Sequence, residues 1–131
     1  MGEKALVESQ IADTAKLLEA LDASSAGPTV AVWYFYEDIE EWRLIIAGPT
    51  YDALLPKQEP VAYRMLAEAV SASSLASVSV SDLKLLQTTS PLVQALRFLV
   101  RTPPNAAMRA HFSNTTLNGI FMKEMIIMRF A

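Results

Sequence analysis

Residues 29–36 read Thr-Val-Ala-Val-Trp-Tyr-Phe-Tyr, and residues 41–47 read Glu-Trp-Arg-Leu-Ile-Ile-Ala. The first run is β-branched and aromatic throughout, which suits a strand covered on both faces. In the second, Trp42, Leu44 and Ile46 share one side, and Glu41, Arg43 and Ile45 share the other. Only Glu37, Asp38, Ile39 and Glu40 separate them, so the two strands pair as a hairpin.

The flanking sequence supplies helices. Val7, Ile11, Ala15, Leu18 and Leu21 recur at three- and four-residue steps, which predicts a helix over 3–21. Gly27 and Pro28 lie beyond its end. Pro60 opens a second helix over about 60–73, with Ala62, Met65, Leu66, Ala69 and Val70 available to pack. Residues 82–87 are the best candidate for a third strand, and 75–82 are ambiguous between strand and loop. If parallel to the second strand, the third is reached by a right-handed crossover. Ser90–Pro91 starts a third helix running to about Val100, with Ser90 as the cap. A fourth strand is expected over 107–112, followed by a turn-rich link over 113–119. The last strand-like run reaches Phe130, and Lys123–Glu124 leaves open whether it is one continuous strand. In that run Met125, Ile127 and Arg129 fall on one side, and Ile126, Met128 and Phe130 on the other. The sum is an α/β or α+β fold. Residues 1–131 form one domain: a mixed sheet with an N-terminal hairpin and about three packing helices.

Composition bounds the chemistry. The chain has 131 residues, 52% of them hydrophobic and 19% charged, which is a globular composition. It contains no Cys and one His, His111. Disulfides, thiolate metal sites, cysteine nucleophiles and multi-histidine sites are excluded within one chain. No apolar run is long enough for a membrane span and no secretory leader is visible, so a cytoplasmic protein is expected. The net charge is −3, and residues 1–65 are acidic while 66–131 are basic. The overall acidity argues against generic nucleic-acid binding, whereas the later arginines leave a local anion site open.

The residues 42–47, Ser90–Pro91–Leu92–Val93, Leu96–Arg97, Arg101–Thr102, Phe112–Ser113–Asn114, the residues 117–121 and the terminal Ile127–Met128–Arg129–Phe130 form a set of short strings. Together they resemble a group of small, functionally uncharacterised bacterial mixed α/β proteins. The resemblance covers about residues 40–131. It implies a mixed α/β fold and carries no substrate, cofactor or active residue.

Three residue sets could carry function. Arg97 and Arg101 lie four apart on one helix side, and with Arg109 they could hold a phosphate or carboxylate, helped by the polar residues 113–118. The bland alternative is a solvated helix face. His111 beside Arg109 could transfer protons in a phosphoryl-transfer or phosphodiester-processing enzyme. A structural or surface histidine is the plainer reading, and no nucleophile frame accompanies it. Glu37, Asp38, Glu40 and Glu41 form an acidic tip. It suits a solvated turn, a hard divalent ion or a docking edge, but it lacks the order of a calcium loop.

Trp33, Tyr34, Phe35, Tyr36 and Trp42 read as hairpin core before base-stacking residues. Met122, Met125 and Met128 suit a core or an adaptable interface. No phosphate loop, dinucleotide fingerprint, serine elbow or zinc helix is present. The leading expectation is a non-enzymatic protein-interaction or accessory domain, with a protein partner or a homo-oligomer. Asp38, Glu40 and Glu41 would provide electrostatic selectivity and Trp42 an anchor. No cofactor and no metal are expected. The alternatives are the Arg/His enzyme and a nucleic-acid-binding module.

Overall fold

A computed structural model describes residues 6, 8–99, 101–103 and 107–131. Its elements in order are α1 (Glu8–Ala23), β1 (Val30–Tyr36), β2 (Glu41–Ala47), α2 (Pro49–Asp52), α3 (Glu59–Ala72), β3 (Leu83–Leu85), α4 (Pro91–Leu96), β4 (Ala110–Leu117) and β5 (Ile120–Phe130). The strands form one mixed sheet in the order β3-β2-β1-β5-β4. β1 and β2 pair antiparallel as the expected hairpin, from Val30 opposite Ala47 to Tyr36 opposite Glu41. β3 runs parallel to β2, so the chain crosses over through α2 and α3. β1 is central and lies between β2 and β5, both antiparallel to it.

Each face of the sheet carries its own apolar cluster. Ala31, Trp33, Phe35, Trp42, Leu44, Ile46, Ile126 and Met128 pack with Leu17, Leu18 and Leu21 of α1 and Leu66 of α3. The opposite face gathers Val30, Val32, Tyr34, Ile45, Ala47, Met122, Met125, Ile127 and Phe130 under Val93, Ala95 and Leu96 of α4. Two helices of 16 and 14 residues cover the first face, and a helix of six covers the second. The three methionines singled out in the sequence are core residues, each 2% exposed or less.

Buried polar groups tie the first layer to the sheet. The Trp33 indole N–H donates to Thr14 Oγ1 at 2.8 Å, and the Thr14 hydroxyl donates to the Gln10 carbonyl at 2.7 Å. A buried indole N–H without a partner would cost about 1–3 kcal/mol, so this bond positions α1 over β1. Asp13 accepts from the Ser77 amide at 2.7 Å and anchors the loop before β3. The Tyr51 hydroxyl donates to the Ala26 carbonyl at 2.6 Å. The end of α1 is closed by Ser25 in the left-handed region (φ 64°) and an Ala26 amide bond to the Leu21 carbonyl.

Five local readings are corrected and the open one, over 75–82, is resolved. The segment 75–82 is irregular apart from a short 3₁₀ turn, Val80–Asp82, and the third strand shrinks to Leu83–Leu85. The third helix stops at Leu96 and turns through 97–99. The Ser90 side chain makes no capping bond, and its buried hydroxyl has no partner; Pro91 still opens the helix. Residues 113–117 continue the fourth strand, which runs over Ala110–Leu117. The turn is confined to Asn118 and Gly119, both at positive φ (50° and 77°). That pair suits the tight two-residue turn whose twist matches an antiparallel hairpin. The expected helix start at 3–5 and 7, and Val100, lie outside the described residues.

The fifth correction concerns Arg129. Ala31 faces Arg129 while Val32 faces Ile127, so Met128 is the extra residue of a β-bulge. The bulge reverses the alternation. Arg129 therefore turns to the α1 side, away from the side of Met125 and Ile127.

Candidate interaction surface

Arg129 is the most deeply buried charge among the described residues, at 1% exposure. It donates to both Asp22 carboxylate oxygens, at 2.9 and 2.8 Å, and to the Pro28 carbonyl at 3.0 Å. A Cβ on Gly27 would sit 2.1 Å from Asp22 Oδ1, so Gly27 leaves room for this carboxylate. The cluster closes the end of α1 onto the last strand. A groove of about 530 Å³ passes over it between α1 and Ala107. Its charged floor is already paired, which marks a structural role.

The basic residues proposed from sequence divide between the two sides of the sheet. Arg97 follows α4 and donates to Gln94 Oε1 at 2.8 Å. Arg101 is exposed in the connection to β4. Arg109 pairs with Glu8 of α1, on the other side. The Arg109 guanidinium hydrogen-bonded to Glu8 holds that carboxyl below its ordinary value of 4.5. His111 lies opposite Ile126, on the α1 side, and its Nε2 is 2.8 Å from Glu124 Oε2. Arg109 and His111 thus sit on the α1 side, each with a carboxylate, while Arg97 belongs to the α4 side.

The acidic tip is exposed at Glu37, Asp38, Ile39 and Glu40. Glu41 pairs with Arg43 at 2.6 Å, and Glu37 lies 3.8 Å from Lys123. Asp38 and Glu40 are the outward-facing acids. Trp42 is not an edge anchor: it is 7% exposed and stacks edge-on against Phe35, with ring centroids 5.6 Å apart. Its place on the same side as Leu44 and Ile46 explains this burial. Among the described residues, no group of three His, Asp or Glu side chains is arranged to hold a metal ion.

The open surface lies at the other end of the sheet. β4 is an edge strand of eight residues. Ala110, Phe112, Leu117 and Ile120 are only partly buried against the α4-side cluster. Phe98, in the turn that follows α4, is 71% exposed. Phe121 at the start of β5 is 50% exposed and lines a shallow groove of about 220 Å³ with Tyr34, Tyr36 and Leu92. Tyr36 packs edge-on against Tyr34 at 4.8 Å, and Lys84 Nζ lies 5.8 Å from its ring centre. Burial pushes the Tyr36 hydroxyl up to about 12, with Tyr34 and Asp38 adding to the shift. Phe98 and Phe121 were not among the sequence candidates. For Phe98 the signal was its place between Ala95, Leu96 and Leu99 on the helical stripe, off the core side.

The fold and this surface define a mixed α+β domain with one well-covered face, one thinly covered face and, among the described residues, an edge strand β4 with no strand beyond it. No family model, curated protein or solved structure matches this chain. Among the described residues, no helix is long and apolar enough to cross a membrane.

Proposed function

We propose that this is a protein-interaction or accessory domain that docks a protein along the open β4 end of its sheet. One observation carries the reading: the eight-residue edge strand and its half-buried apolar strip lie on the side of the sheet where Phe98 is 71% exposed. An edge strand offers unpaired backbone groups, and an apolar strip beside it rewards any partner that covers both. Asp38 and Glu40 add a negative tip that favours basic partner surfaces and sets association rate more than affinity. The anion-site alternatives gain less from the geometry. Arg97 and Arg109 fall to different sides, and Arg109 and His111 each face a carboxylate.

Native mass spectrometry of the protein, gently isolated from the cells that make it, tests this. A protein complex heavier than one chain is expected. Phe98→Asp, at an exposed site, should weaken it at least tenfold without unfolding the domain. A single-chain mass throughout sinks the reading. So does an added nucleic-acid or small-ligand mass in place of protein, which would favour the anion-binding alternatives, with Arg97 and Arg101 the first residues to substitute.

A further inference from the structure

The β4 edge has an unusual order of faces. From Ala110 to Leu117 its residues alternate between partly buried and exposed as far as Ser113, then the order reverses. Ala110, Phe112, Thr115 and Leu117 are partly buried; His111, Ser113, Asn114 and Thr116 are exposed. The reversal occurs at Asn114, whose φ of 48° is left-handed. A strand with regular two-residue alternation could match faces with only one half of this edge. β5 matches both halves because it switches at the same level: Met122 and Met125 both belong to the α4-side cluster, across Lys123–Glu124.

The face order of β4 is also palindromic about the Ser113–Asn114 peptide. A second copy of β4 laid antiparallel therefore matches it throughout. Ala110 meets Leu117 of the other copy, Phe112 meets Thr115, His111 meets Thr116, and each Asn114 meets Ser113 of the other copy beside the two-fold axis. No two like charges face each other in this register: His111 is the one titratable residue in the strand, and its opposite is Thr116. The strand carries no Lys or Pro, and its one backbone irregularity, Asn114, is of the kind that blunts an edge against a regular strand and is matched by a second copy of β4.

We infer that the partner of the β4 edge is a second copy of this chain, paired antiparallel about Ser113–Asn114. This rests on the interaction reading above and names its partner. The two sheets of five strands become one continuous sheet of ten. The two half-covered strips meet across the two-fold axis, an isologous contact that closes on itself.

The absence of cysteine makes the test clean. Directly opposed residues of an antiparallel pair lie about 4.5–5.5 Å apart, within disulfide reach. His111→Cys and Thr116→Cys proteins are prepared separately and oxidised mildly, alone and mixed, while wild-type protein is sedimented across a broad concentration range. The expected results are twice the chain mass for wild type, and covalent dimers from the mixture but not from either variant alone. A wild-type monomer at every concentration overturns the inference. So does a dimer whose mixture fails to cross-link, or one that cross-links from His111→Cys alone, which would signal a different register. If wild type is monomeric but a hetero-complex sensitive to Phe98→Asp survives in native spectra, the self-pairing fails while the interaction reading stands.

Discussion

Arg129 shows how much one side chain decides. Its guanidinium is buried and its charge is matched by Asp22, whose side chain remains 30% exposed. Removing one partner of such a pair strands the other, at a cost of about 3 kcal/mol. Asp22→Ala should destabilise the domain by that order in urea unfolding, and Asp22→Ala with Arg129→Met should recover part of the loss. Equal losses for single and double variants would show that the buried charge is not what matters. At Tyr36, the folded state raises the hydroxyl from 10.0 to about 12 and so favours the neutral form. Its contribution to stability is full below pH 10.0 and is lost as pH rises through about 12. Alkaline unfolding followed by circular dichroism should show this slope, and Tyr36→Phe should flatten it. An unchanged slope would assign the loss elsewhere. Core identities were legible residue by residue, because Trp33, Leu44 and Ile46 are too apolar to lie elsewhere. The partner of Arg129 was not, since Asp22 is 107 positions away.

At the scale of elements, the hairpin was legible because alternation, β-branching and a four-residue polar turn agree. The end of the fourth strand was not. Ser113, Asn114, Thr115 and Thr116 carry turn-forming side chains, and an edge strand tolerates them because half of its surface meets water. α4 is shorter than its apolar stripe suggests because the chain turns at 97–99. The exposed hairpin tip is the element most easily tested for docking. If the acidic tip contributes selectivity, Glu40→Lys with Glu41→Lys should slow association with a basic partner severalfold and make the rate less salt-sensitive, as read by stopped-flow fluorescence. An unaltered association rate would confine docking to the β4 end. Glu41 contributes less than Glu40 because Arg43 already pairs with it.

For the whole molecule, unequal cover on the two faces sets both stability and reach. β1 sits between two neighbours with helices on both sides, so its amides should exchange most slowly. The outward amides of β4 should exchange fast in dilute solution and become protected as protein concentration rises. Protection independent of concentration would argue against a self-paired edge. The sequence alone determined the mixed fold, the hairpin, the positions of the main helices and the exclusion of cysteine and multi-histidine chemistry, because those follow from local periodicity and residue type. Only the tertiary structure decided the strand order, the pairing of Arg129 with Asp22, the side to which Arg129 turns and the position of β4 at the edge of the sheet. Each depends on which segments meet across long sequence separations, or on a bulge or left-handed residue that reverses the alternation from which faces are read.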